Sequence, residues 1–260
     1  MYEDIFRSTK KLEKAGVDSG KILDIRAMDS AARLIHQSLD LATAIIKPGL
    51  TTRELAEEIS RFLSASGADP GSIIRISPEQ VVWHGLPGSR VIEIGEIVSV
   101  DIACSVRQWW ADGAKTIPVG QINSTKSDLI QTAIEGMRTV IQGMKSGDVG
   151  LNSAEAIREL CSRRSVSLVA EAAGHGIGRR LHEMPSITYD GRPHTPLKLN
   201  SVYTVEPIFT SGDGNVRMSE DGSAVTSDGE PSAHFEVTVL LVEHGVHILG
   251  APDWMSRQPC

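Results

Sequence analysis

An internal repeat constrains the fold of this chain more than any other feature of its sequence. The segments IIKPGLTTRELAEEISRFL (45–63) and GMKSGDVGLNSAEAIRELC (143–161) each run from the end of an apolar-periodic helix, through a Lys-x-Gly turn, into a second helix. The two turn lysines, Lys47 and Lys145, lie 98 positions apart. Two copies are too few for a solenoid. The repeat therefore predicts one domain built from two similar halves related by a pseudo-two-fold axis.

Both copies carry a helix-capping signal after the turn. Thr51 with Glu54, and Asn152 with Glu155, match the pattern in which a polar side chain and a carboxylate three positions later bind free backbone amides. We therefore expect the second helix of each half to begin at these residues.

Segments typical of strands follow each helical pair. The segments at 96–106 and 109–120 predict a hairpin, and those at 201–209 and 233–243 predict a second group of strands. The stretch 211–232 is rich in Gly, Ser and Asp, which predicts a polar loop. Helices interleaved with mostly antiparallel strands predict an α+β fold, with the two halves arranged around an antiparallel sheet.

Length, charge and cysteine content limit the class of protein. We expect a single domain over residues 28–250 of the 260, after a charged extension at 1–27 and before a tail at 251–260. The net charge of −7 argues against a nucleic-acid partner, and no apolar run reaches the length of a membrane span. The three scattered cysteines form no disulfide framework, which favours a cytoplasmic location.

Glycine surrounds one histidine in the segment AGHGIGRRLHEMP (173–185). Because glycine lets the backbone approach another group closely, the glycines beside His175 predict a crowded site. His182 and Glu183 begin an HExxH pattern that Pro185 interrupts, so a zinc helix is excluded. Any metal-binding partners of these histidines must come from elsewhere in the chain.

Lone acidic residues interrupt four apolar strand segments. They are Asp101, Asp112, Glu206 and Glu236. Pairing Asp101 directly opposite Asp112, with the hairpin turn between Val106 and Arg107, would place both carboxylates on one face of the sheet. Like charges so close repel each other unless a proton or a cation lies between them.

One such acid is commonly a structural ion-pair partner, but four of them with His175 favour a functional site. Carboxylates and one imidazole form a hard, oxygen-rich donor set. This set predicts two divalent metal ions, either Mn, Co, Fe or Zn, and not a thiolate-type structural zinc site.

At these residues the chain resembles the type I methionine aminopeptidases, which have the pita-bread fold of creatinases and aminopeptidases. The resemblance covers about residues 28–250 and also includes VVWHGLP (81–87). It implies a peptide or small amide as substrate, and five metal ligands. These ligands are Asp101, Asp112, His175, Glu206 and Glu236.

The resemblance also implies catalytic roles for residues around the metals. His84 and His182 correspond to the pair of histidines that contact the scissile amide and its carbonyl. Glu206 is suited to pass a proton from water to the leaving amine, and His182 to stabilise charge on the carbonyl oxygen. His234 stands where the family usually has a glutamine, which implies a supporting position beside the site.

The substrate pocket departs from the family pattern at four expected substrate-binding residues. Arg75 and Trp83 replace cysteines, Leu181 replaces an aromatic residue, and Ser223 replaces a tryptophan. Either Arg75 points to solvent, or its guanidinium recognises a carboxylate or another polar group. Because a thioether pocket should be apolar and aromatic, we expect a non-methionine N-terminal residue or a small amide as substrate.

The sequence leaves three alternatives to an enzyme with a non-methionine substrate. The first is a housekeeping aminopeptidase that removes initiator methionine. The second is a creatinase-like hydrolase of non-peptide substrates, against which the intact set of five ligands counts. The third is a metal-free binding module on the same scaffold, which metal analysis of the purified protein would test directly.

Overall fold

A computed structural model describes residues 9–14 and 16–250, and it confirms the α+β prediction. The helices pack against one face of a large antiparallel sheet. A single 3-10 turn, Ser19–Lys21, precedes the longest helix. The helices are α1 (Thr9–Lys14), α2 (Ile22–Ile45), α3 (Thr52–Ala65), α4 (Ser124–Gly143) and α5 (Ala154–Arg164).

The strands form a ten-stranded sheet and a separate three-stranded sheet. They are β1 (Ile73–Pro78), β2 (Val81–Trp83), β3 (Ile97–Val106), β4 (Trp109–Pro118), β5 (Ser167–Leu168), β6 (Ala173–Gly176), β7 (Glu183–Thr188), β8 (Ser201–Val205), β9 (Ile208–Thr210), β10 (Val216–Met218), β11 (Ala224–Thr226), β12 (Ser232–Val242) and β13 (Gly245–Ile248). The main path of the large sheet is β1-β3-β4-β12-β8-β6-β7, with β13 and β9 paired to β12 and β5 paired to β9.

The two predicted halves are visible in the packing of the helices. The pair α2 and α3 covers the part of the sheet around β3 and β4, and the pair α4 and α5 covers the part around β12 and β9. Each pair builds its own apolar core on the sheet, with Ile35 and Leu55 fully buried in one and Met137 and Ile157 in the other. Burial of these apolar faces stabilises both helical pairs.

The two predicted helix caps differ in outcome. Thr51 caps α3 as expected: its Oγ1 accepts a hydrogen bond from the Glu54 amide at 3.2 Å, and its own amide donates to the Glu54 carboxylate at 2.8 Å. The second prediction was wrong: the side-chain nitrogen Nδ2 of Asn152 donates to Asp148 at 2.9 Å, and the residue that precedes α5 is Ser153. Ser153 stands at the start of α5 without capping it through its side chain.

The hairpin of β3 and β4 has its turn one residue later than predicted. Arg107 and Gln108 form the turn with φ values of 56° and 62°, the left-handed conformation that favours a two-residue hairpin connection. Asp112 therefore pairs with Ala103, and Asp101 with Ala114. The predicted direct opposition of the two aspartates was wrong, yet both still face the same side of the sheet, as diagonal neighbours.

The stretch 211–232 contains more structure than the predicted polar loop. It holds β10 and β11, which pair with each other, and β11 also pairs with β2. Ala224 is fully buried opposite Trp83, so apolar residues inside this polar stretch hold β2 in place.

The predicted division of the chain stays a prediction at both ends. The boundary after residue 27 falls inside α2, and Leu12 and Val17 belong to the same core as this helix. The predicted tail at 251–260 lies outside the described residues. No helix in the described part of the chain is both long and apolar enough to cross a membrane.

Candidate metal centre

Alternation along the strands separates a helix-covered face of the sheet from a face that lines a cavity. In β3, the even-numbered residues Val100 and Ile102 pack under the helices, so Asp101 and Ala103 point to the opposite face. A cavity of about 420 Å³ lies on that face. The predicted ligands and histidines that line it are Asp101, Asp112, His175, Glu206, Glu236, His84, His182 and His234.

Glycines position His175, as the crowded pattern around it predicted. A Cβ on Gly174 would lie 2.4 Å from the Thr204 carbonyl oxygen and 2.6 Å from the Tyr189 hydroxyl. A Cβ on Gly176 would lie 2.4 Å from the Met184 carbonyl oxygen. Only glycine allows β6 to approach its neighbours this closely, and this approach places His175 in the cavity wall.

Hydrogen bonding leaves the Nε2 atom of His175 available to bind a cation. The Nδ1 atom lies 2.9 Å from the Gly176 carbonyl oxygen, which can only accept, so Nδ1 carries the proton. Burial lowers the pKa of His175 to about 4, which keeps the ring neutral near pH 7. A neutral imidazole with a backbone-bonded Nδ1 is the form in which histidine binds metal ions.

Carboxylates converge on this nitrogen. Nε2 of His175 lies 3.7 Å from Oε1 of Glu206 and 4.0 Å from Oδ2 of Asp112. Asp112, His175 and Glu236 each offer one ligand atom, and these three atoms lie within 4.8 Å of one another. The spacing suits a cation held between them.

The acidic residues are hard to ionise together. Burial raises the pKa of Asp101 to about 6 and that of Glu206 to about 8. Burial, together with the charges of the neighbouring carboxylates, raises the pKa values of Asp112 and Glu236 well above their ordinary range. Oε1 of Glu236 is buried and accepts no hydrogen bond from any residue that the structure describes. Buried carboxylates with an unpartnered oxygen fit divalent cations, which would compensate their mutual repulsion.

Thr204 and Tyr189, which the sequence did not indicate, hold the ligands in position. The Thr204 hydroxyl accepts a hydrogen bond from the His175 amide at 2.9 Å and donates one to Glu206 at 2.7 Å. The Tyr189 hydroxyl accepts from the Glu206 amide at 2.8 Å. The period-2 pattern of YTVEP could have indicated Thr204, because it lies two positions before Glu206 on the same face of the strand.

Backbone conformation brings His84 to the mouth of the cavity. His84 has a φ of 60°, which is uncommon for any residue other than glycine. The Gly85 amide donates to the Ser77 hydroxyl at 3.1 Å, and the Gly85 carbonyl accepts from the Ile76 amide at 2.9 Å. These bonds to β1 fix the turn that carries His84.

The remaining predicted histidines lie on either side of the ligands. The His182 ring lies 4.4 Å from that of His175, measured between centroids, and is exposed at the mouth of the cavity. His234 is almost fully buried on β12, two residues from Glu236 and on the same face. Its Nδ1 atom has no hydrogen-bond partner among the described residues, and burial lowers its pKa to about 4.

Three of the four expected substrate-pocket residues line the cavity. They are Arg75, Trp83 and Leu181. Ser223 is not among the described residues that line it; its hydroxyl donates to Asp221 at 2.7 Å in the turn before β11. Ile73 and Ala103 add apolar surface that the sequence did not indicate.

We expect the metal-free protein to lose stability as the pH rises from about 6.5 to 8. Acidic residues with raised pKa values keep their protons in the folded state but lose them when the chain unfolds, so unfolding becomes easier as the pH rises through this range. Each retained proton contributes about 1.4 kcal/mol per pH unit. The buried histidines with pKa values near 4, which are His36, His175 and His234, are partly protonated in the unfolded chain at pH 6.5 and oppose the trend there, but this opposition fades towards pH 8 because a free imidazole loses its proton near pH 6.5.

Thermal unfolding in a chelating buffer measures this effect. The midpoint should fall between pH 6.5 and 8, and added Mn²⁺ should remove most of the fall. A midpoint of the metal-free protein that is constant or rises over this range would contradict the proposed repulsion among the carboxylates.

Comparisons with known proteins agree with this geometry. The profile of metallopeptidase family M24 matches residues 26–243. The chain is 34% identical to methionine aminopeptidase 1 of Bacillus subtilis over 238 residues, which is 87% of this chain and 96% of that protein. The crystal structure of the Rickettsia prowazekii methionine aminopeptidase superposes with a TM-score of 0.83 at 30% identity, covering 90% of this chain and 98% of that one. The Thermotoga maritima methionine aminopeptidase superposes with a TM-score of 0.82 at 30% identity, covering 87% and 96%.

These matches confirm the pita-bread fold and the divalent metal cofactors predicted from the sequence. They also set the metal-free binding module aside, since the matched profile is that of a metallopeptidase family. The chain belongs to metallopeptidase family M24 and is a metal-dependent hydrolase of the aminopeptidase type.

Proposed function

We propose that this protein removes N-terminal methionine from peptides. The observation that carries the proposal is the cavity in which Glu206, Glu236 and His175 converge beside two histidines, in a chain whose relatives are named methionine aminopeptidases. The relatives do not support the expected non-methionine specificity, and the alternative of a methionine-releasing enzyme fits them better.

The proposed site has room for a thioether side chain despite its divergent sequence. Ile73, Trp83, Ala103 and Leu181 provide an apolar wall beside Asp101. Trp83 restores an aromatic surface to a pocket that lacks other aromatic side chains among its described residues. An apolar wall next to converging polar groups is the common character of small-ligand sites.

In the proposed mechanism the five ligands would hold two divalent cations, and bound cations would supply a hydroxide nucleophile near neutral pH and polarise the scissile carbonyl. Glu206, whose Oε1 lies 3.7 Å from Nε2 of His175, is placed to accept a proton and pass it to the leaving amine once its charge is compensated by the cations. His182 and His84, exposed at the mouth, are placed to donate to the carbonyl oxygen and to orient the scissile amide. The free amino group of the substrate would approach the carboxylate-rich end of the cavity.

Release of methionine from a peptide such as Met-Ala-Ser tests the proposal. With Mn²⁺, Co²⁺, Fe²⁺ or Zn²⁺ added, we expect turnover of about 1–100 per second, which is ordinary for an enzyme. The N-acetylated peptide is the matched control and should remain uncut, because its amine is blocked. Absence of methionine release by protein that has demonstrably bound metal would refute this function.

A further inference from the structure

We infer that Arg75 admits a second class of N-terminal residue, glutamate and glutamine, to the same pocket that accepts methionine. The inference rests on the proposed function, because it assumes that the protein releases N-terminal residues. What it adds is the choice of N-terminal side chain that the pocket recognises. It follows from the position of the Arg75 guanidinium and from the shapes of methionine, glutamine and glutamate.

Register places Arg75 inside the cavity. Arg75 on β1 pairs directly with Asp101 on β3, so both side chains leave the same face of the sheet. Because β3 lies between β1 and β4, Arg75 stands on the opposite side of Asp101 from Asp112. The guanidinium thus borders the apolar part of the cavity, away from the converging ligand atoms.

Within the described ranges the half-buried Arg75 forms no hydrogen bond, and no carboxylate oxygen lies within 4.0 Å of its guanidinium. The positive charge of Arg75 nevertheless acts on groups of the site. Next to burial, it has the largest effect on the pKa values of Asp101 and His84, and it lowers both. A guanidinium has five N–H donors and prefers a planar acceptor such as a carboxylate or an amide.

Arg75 is the one Arg or Lys side chain among the described residues that line this cavity. A carboxylate on the substrate side chain would form a bidentate, charge-assisted pair with its guanidinium.

Methionine, glutamine and glutamate share the stem that the pocket contacts. Each has two methylene groups after Cα and differs only beyond them. Ile73, Trp83 and Leu181 can therefore pack against the stem of any of the three. Only glutamine and glutamate present an acceptor to Arg75, and only glutamate presents a charged one.

The test compares release of X from X-Ala-Ser peptides, with Met, Gln, Glu and Lys as X, by the metal-loaded protein and by Arg75→Met. We expect the unaltered protein to release Glu and Gln as well as Met, and to discriminate against Lys. In Arg75→Met, the ratio of kcat/KM for Glu to that for Met should fall by about 10–100-fold, and the ratio for Gln to Met by less. Arg53→Met removes the same charge from the exposed surface of α3 and should change none of these values.

Binding measurements separate recognition from a general electrostatic role. Calorimetric titration with free L-glutamate and L-methionine should show glutamate binding lost in Arg75→Met and methionine binding kept. If Arg75 only compensates the charge of Asp101, the variant will alter metal affinity and affect all peptides equally, which overturns the inference.

The two proposals fail in different ways. Release of Met without Glu or Gln by the unaltered protein overturns the role of Arg75 and leaves the proposed function standing. Absence of release from every peptide refutes the proposed function, and glutamate binding that depends on Arg75 would still support the inference.

Discussion

Replacing Glu236 by alanine should reduce peptide hydrolysis by at least about 1,000-fold, the scale seen when one member of a catalytic unit is removed. Glu236 is almost fully buried, and one of its oxygens lies within reach of ligand atoms of both Asp112 and His175. Its other neighbours, Asp101 and Glu206, act on its pKa as negative charges. Removing it should therefore weaken the hold on both cations, and metal titration should show fewer ions bound per chain.

The matched control is Glu243→Ala, which also removes a glutamate side chain but from the exposed residue that directly follows β12. It should keep full activity and full metal content. A second readout separates metal loss from misfolding: without metal, Glu236→Ala should unfold at no lower temperature above pH 6.5 than the unaltered protein, because the variant no longer has to keep a proton on a buried acid that the unfolded chain has lost. Full activity of Glu236→Ala would eliminate the proposed metal centre.

The carboxylate site could be predicted from the sequence although the predicted register of the hairpin was wrong, because the error did not change which face the two aspartates share. The hairpin turn at Arg107 and Gln108 lies one residue later than expected, which shifts every cross-strand pair by two positions. Side chains alternate with a period of two, so this shift leaves Asp101 and Asp112 on one face. A shift by one position would have separated them and removed the argument for a shared cation.

Helix starts were harder to predict than the helices themselves. The pattern Asn152-x-x-Glu155 resembles the cap that Thr51 and Glu54 form, but a turn residue, Asp148, competes for the Asn152 side chain. Such competition depends on the three-dimensional path of the turn, which no local pattern reports. Tertiary contacts decided the outcome.

Residues that support the site from outside its own strands could not be predicted either. Ser77 lies on a different strand from His84, whose turn it holds, and Tyr189 follows β7 but bonds to Glu206 beyond β8. Their spacing in sequence carries no period. Only the pairing of strands brings them to the cavity.

Replacing His182 by alanine should lower kcat by about 100–1,000-fold while metal binding remains intact. His182 lies at the exposed mouth of the cavity with its ring 4.4 Å from that of His175, so it borders the ligands without belonging to the group whose atoms converge. A donor in this position acts on charge that develops on the substrate during the reaction, and its loss should therefore affect kcat more than the affinity for peptide.

His244→Ala is the matched control, because it removes an exposed imidazole from the turn between β12 and β13 and should leave kcat unchanged. Metal titration of His182→Ala should show the affinity of the unaltered protein. If this variant instead loses its metals and recovers its full rate when they are restored in excess, His182 is a ligand and not a donor to the substrate. Because the His182 ring lies outside the group of converging ligand atoms, we expect His182→Ala to be a slow enzyme that keeps its metals.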